Sequence, residues 1–159
     1  MIAFPPCTYI TAAGACRMYP SKGIVDQERL SKALEAKAFF MCFYNADCEK
    51  IAIENPRPLK IVEMPEESQR IQPWEYAKNK EEYFTKLTYL WLKGLPQLVP
   101  IRTEKPTGTI PFVNAGSKTS TGQTRKNVGI KHSAIERSKT FPGIAKAMAE
   151  QWAGECKDG

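Results

Sequence analysis

Cys7 stands directly after Pro5 and Pro6, and Glu54 closes an apolar run just ahead of Asn55 and Pro56. A thiol held on a stiff turn in a polar, basic cleft gives up its proton more readily and acts as a nucleophile. A carboxyl at the end of a buried strand, with Ile53 and Pro56 keeping water away, is held protonated or tightly hydrogen-bonded. That state suits contact with the edge of a nucleobase. Each residue alone also has a plain interpretation: a small buried hydrophobe for the cysteine, a local turn cap for the acid. Placed over one pocket, the thiol and the carboxyl form a coherent pair of candidate catalytic groups.

Other residues are candidates for contact rather than chemistry. Lys118, Arg125 and Lys126 lie in or beside "GSKTSTGQT" (Gly116 to Thr124), which has the look of a phosphate loop. The spacing excludes a Walker motif, because five residues separate the glycines where four are required, and no Lys-Ser/Thr pair follows. The three cations would touch phosphate as plain charge. Trp74 and Tyr76 in "IQPWEY" suit stacking on a base, with aromatic core packing as the competing role. The single histidine, His132, reads as a loop residue. Five cysteines without a C-x-x-C pair, and no paired ligand spacing, argue against a metal site.

These residues need elements to position them. Ile2 to Phe4 is a short apolar run stopped by Pro5-Pro6, a strand feeding a fixed loop. Thr8 to Gly23 reads as loop or broken helix. The pattern predicts a helix from about Asp26 to Tyr44, with Asp26 as N-cap and Glu28 in the first turn. Its apolar face would be Leu30, Ala33, Leu34, Ala38, Met41 and Cys42. Lys50 to Glu54 is a second strand, and a strand–helix–strand unit of this length joins parallel strands. The Pro-Pro-Cys and Glu-Asn-Pro segments would then share the carboxyl edge of the sheet, where open α/β sheets hold ligands.

A loop rich in Pro and Glu follows, and residues Ala77 to Phe84 are helical or irregular. Thr85 to Leu92 predicts a third strand, covered on both faces and ended by Gly94 and Pro96. Residues 100–140 read as a basic loop or lid, and Pro142 opens a final helix within 141–155. The buried stripe of that helix would be Ile144, Ala145, Met148, Ala149 and Trp152.

At 159 residues the chain is expected to form a single domain, with an α/β core over 1–99. The apolar content of 42% and charged content of 25% exclude disordered and fibrous classes. Between Arg102 and Lys146 nine Lys/Arg face only Glu104 and Glu136, a net of +7, while the whole chain carries +6. That asymmetry favours an anionic partner, a nucleotide or nucleic acid. The odd cysteine count, with neither a leader nor a long apolar run, leads to the expectation of a cytoplasmic protein without membrane contact.

"PPCTY" together with "IAIENP" resembles the DNA cytosine-5 methyltransferase family, and the longer pattern is similar to a divergent phage and bacterial branch of it. The stretches that carry the closer likeness are "IQPWEY…TK…LWLKGLP" and "ERSKTFPGIAKAMAEQW". The resemblance implies that Cys7 is the nucleophile toward cytosine carbon 6, and that Glu54 with Asn55 grips ring nitrogen 3. It also places Lys86 near a segment of basic catalytic residues, and Pro6 and Thr8 beside the ligand. The implied fold is a truncated Rossmann-like one, a small, mostly parallel sheet flanked by helices.

Two of the family's motifs are missing. No Phe-x-Gly-x-Gly donor motif occurs in these residues, and "TKLTY" stands where the family has Gln-x-Arg-x-Arg. The S-adenosylmethionine-binding half would precede Met1, so no cofactor is expected. The expected function is therefore nucleotide or nucleobase binding without standalone methyl transfer. By analogy, this suits a phage counter-defence protein that sequesters a nucleotide immune signal in the host cytoplasm. The alternatives are a methyltransferase half needing a partner chain, a nucleotide-processing enzyme using Cys7, and a DNA-binding module. The strand Met1 to Phe4, left as an apolar edge, leads to the expectation of a homo-oligomer.

Overall fold

The computed structural model describes residues 1–112, 136 and 139–153. Its contacts group the described residues into two compact units, one of Met1–Ile71 with Leu87–Gln97, the other of Gln72–Lys86 with the described residues from Leu98 onward.

The first unit is built on a four-stranded sheet in the order β1-β2-β5-β3. Its strands are β1 (Ile2–Ala3), β2 (Ile51–Pro56), β3 (Gln69–Ile71) and β5 (Thr88–Lys93). The predicted crossover is present: β1 runs parallel to β2, with Ala3 opposite Ile53. Helix α2 (Gln27–Tyr44) connects them, preceded by the short α1 (Ala15–Met18). Asp26 caps α2 as expected, its Oδ1 accepting the Arg29 N–H at 2.9 Å.

The expected mostly parallel sheet is corrected. Both β2–β5 and β3–β5 are antiparallel, so the sheet is mixed. The chain reaches β5 through a long excursion and re-enters between β2 and β3, a path that no local sequence pattern records. Four consecutive residues of β5, Thr88 to Trp91, are buried, as a strand covered on both faces requires. Gly94 ends it with φ of +61°, and a Cβ there would lie 2.2 Å from the Glu49 carbonyl oxygen, so only glycine fits.

The inner face of α2 matches the expected one in part: Ala33 is buried, and Leu30 and Met41 pack half-buried against the core. Ala33 and Phe40 are its fully buried residues, and Phe40 meets Trp91 edge to face at 5.0 Å. Leu34 is 48% exposed, and Ala38 and Cys42 are exposed too. Apolar residues occur all round this helix, so period alone did not single out the inner face. One core cluster joins Ala3, Phe40, Ile51, Ile53, Tyr89 and Trp91. A second joins Ile10, Met18, Ala33, Leu59 and Val62.

The second unit contains α3 (Pro73–Tyr76), a two-stranded parallel pair of β4 (Phe84–Thr85) and β6 (Ile110–Pro111), and α4 (Pro142–Trp152). Phe84, Phe112 and Phe141 form its aromatic cluster. Pro142 opens α4 as expected, but its buried residues are Ile144, Ala147 and Met148. Ala145 and Ala149, expected inside, are exposed; an alanine-rich helix fits more than one stripe. Among the described residues no helix is long and apolar enough to cross a membrane.

Candidate functional site

Pro5 and Pro6 have no N–H, so the turn leading to Cys7 is held by its carbonyls. Asn55, 1% exposed near the end of β2, donates from Nδ2 to the Pro5 oxygen at 3.0 Å. The Cys7 oxygen accepts the N–H of Ile10 at 3.2 Å and of Thr11 at 3.0 Å. The Thr8 oxygen accepts Nη2 of Arg29 at 3.0 Å. The proline turn and the Glu-Asn-Pro segment thus meet at the carboxyl edge of the β1–β2 pair, tied by a buried bond between them. Pro56 is still within the strand, opposite Thr88, so the expected turn there is the last residue of β2.

The side chains at this edge take different directions. Cys7 is half-buried and packs against the cluster of Ile10, Met18, Ala33, Leu59 and Val62. None of the described cysteines forms a disulfide. Glu54 is half-buried and opposite Leu90. Strand alternation puts its side chain on the sheet face away from Ile53 and Asn55. Pro6 and Thr8 are exposed on the turn.

Trp74 and Lys86 belong to the second unit. Trp74 is half-buried on α3. Neighbouring Tyr76 is a core residue, 2% exposed, its hydroxyl donating to the Leu98 oxygen at 3.2 Å. Glu75 receives the Gln72 N–H at 2.6 Å in a capping box, and burial pushes its carboxyl above the usual range despite that bond. Lys86 is half-buried, with Nζ 5.9 Å from the centre of the Phe112 ring and 5.7 Å from that of Phe141. These distances suit cation–π attraction. Lys118, Arg125, Lys126 and His132 lie outside the described residues.

Of two cavities in the described part, neither is lined by Cys7, Glu54, Asn55, Trp74 or Lys86, while Tyr76 borders the second. One of about 400 Å³ lies at the opposite end of the sheet, among Tyr44, Ile51, Trp91 and Lys93. The other, about 170 Å³, lies in the second unit beside Lys78, Glu82, Lys146 and Glu150. Among the described residues no cluster of His, Cys, Asp and Glu could hold a metal ion.

Arg29 is the residue at this edge that the sequence did not mark. An arginine in the first turn of a helix looks like any solvated charge, and only its surroundings distinguish it. Comparison of the chain with family models, with curated proteins and with solved structures returned no match.

Proposed function

We propose that this chain binds a nucleotide or nucleobase at the edge formed by the Pro5–Thr8 turn and the Glu54–Asn55 strand end. It would use the base-holding half of a Rossmann-like, cytosine-5 methyltransferase-like fold, without transferring a methyl group by itself. The observation that carries this is the buried Asn55 Nδ2 to Pro5 oxygen bond of 3.0 Å. It fixes the cysteine-bearing turn to the strand that bears the acid. The parallel β1–β2 crossover puts both segments at the edge where such sheets bind ligands. In this role Asn55 positions the turn, and Cys7 and Glu54, which leave the edge in different directions, would have to turn toward one ligand for the thiol to lie against the ring and the carboxyl to meet a ring nitrogen. Sequestration of a nucleotide signal would need nothing more than such binding.

Thermal-shift and calorimetric screening against cyclic and linear nucleotides tests this. The expected result is one class of binder at micromolar concentration, weakened about tenfold or more by Glu54→Ala, a loss of about 1.4 kcal/mol. No binder at that concentration overturns the proposal. Mass spectrometry of recovered ligand then separates binding from turnover. Intact ligand supports binding, and conversion lost in Cys7→Ser replaces it with an enzyme.

We further propose that a second copy of the chain covers β1. This strand lies at the edge of its sheet, and Ile2 and Phe4 are each 49% exposed there. Unpaired apolar edges of this kind are normally covered.

A further inference from the structure

Arg29 is fixed on three sides. Its Nη2 donates to the Thr8 oxygen at 3.0 Å, and its guanidinium lies over the Tyr9 ring, 5.1 Å from the centre. Gly14 lies close against it, since a Cβ there would come within 2.9 Å of Nη2. The Nε of Arg29 is buried and has no hydrogen-bond partner among the described residues. The carboxylates nearest in sequence are engaged elsewhere. Asp26 accepts the backbone N–H of Arg29, and Glu28 pairs with Lys32. At the other end of the same turn, the Oδ1 of Asn55, a residue 1% exposed, is also buried without a donor among the described residues.

A guanidinium has five N–H donors and keeps its charge at every physiological pH. Taking part of it out of water without a counter-ion or acceptor is costly, and a bond to one carbonyl does not offset that cost. A group meant only to brace the turn would not need the charge. A rigid, stacked arginine with no carboxylate paired to it among the described residues is instead prepared for an incoming anion, and its planar fork matches phosphate oxygens.

We propose that Arg29 is an anion-binding residue that takes the phosphate of a nucleotide held at the Cys7 turn. For the identity of the anion as a phosphate this rests on the nucleotide reading above; for the binding of an anion it does not.

The test is a titration of the intact chain with inorganic phosphate, CMP and cytidine, followed through the Arg29 Nε–Hε signal in nitrogen-15 NMR. Phosphate and CMP are expected to move that signal saturably, and cytidine to leave it in place. In Arg29→Gln, CMP affinity is expected to fall about tenfold or more while cytidine affinity holds, and Arg29→Lys to recover part of the loss. A thermal melt of each variant confirms that it is folded, and the wild-type titration does not depend on them. If phosphate moves the signal and cytidine fails to bind, the anion site stands and base binding at this turn falls. If cytidine binds and phosphate leaves Arg29 unmoved, the anion site falls and base binding stands. If nothing binds, both fall.

Discussion

At the scale of single residues, Asn55 shows how one amide can hold a turn that cannot hold itself. Its Nδ2 is the donor to the buried Pro5 oxygen. Asn55→Asp keeps the shape and removes that donor, setting two acceptors face to face. The expected cost is about 2 kcal/mol or more at neutral pH. The sign with pH follows from linkage. Burial beside a carbonyl raises the pKa of the new carboxyl in the folded state, because only the protonated acid can donate to Pro5. The variant should therefore be most stable at low pH and lose stability as pH rises through that raised value. Denaturant melts across the acid range check this, and a variant equally stable at every pH would contradict it. Cys7 and Glu54 were visible in the sequence because prolines flank them. Asn55 was visible only as a neighbour of Glu54, and its structural task depends on where Pro5 lies in space.

At the scale of elements, the crossover was legible because each part of it carries a local signal. Asp26 caps, Pro5 and Pro56 limit the strands, and the spacing between them requires a helix. The reversal of β5 carried no such signal, because a strand's direction depends on the chain outside it. β3 was missed because Gln69–Ile71 is too short and polar to stand out from the loop around it. Gly94 is the element-scale position with the least tolerance. A Cβ at 2.2 Å from the Glu49 oxygen, on a residue with φ of +61°, forces the end of β5 away from the chain entering β2. Gly94→Ala is expected to destabilise by about 2–4 kcal/mol, read as a lowered denaturant midpoint. The same change at Gly23, where nothing lies within 4 Å, should cost less, since only its positive φ opposes a side chain. Equal costs at the two sites would show that the close approach at Gly94 is not limiting.

For the whole molecule, the exposed apolar residues of the first unit include two groups. One is the β1 edge with Ile2 and Phe4, the other the outer side of α2 with Leu34 and Phe39. If self-association uses the β1 edge, Phe4→Lys should shift the mass seen by light scattering toward the monomer, and Leu34→Lys should not. A monomer at all concentrations, or a shift only with Leu34→Lys, contradicts the edge-strand contact. Net charge was read correctly as a whole-chain property, yet it did not foretell Arg29. That cation lies far in sequence from the basic 102–146 stretch, and its isolation depends on which acids fail to reach it.

The two prolines before Cys7 have a practical corollary. Neither carries an exchangeable backbone proton, so deuterium uptake and amide-detected spectra are blind at the centre of this turn. Opening on the proline side of the cysteine loop is recorded by the side-chain protons of Asn55 and Arg29. Those two residues are where isotopic labels belong.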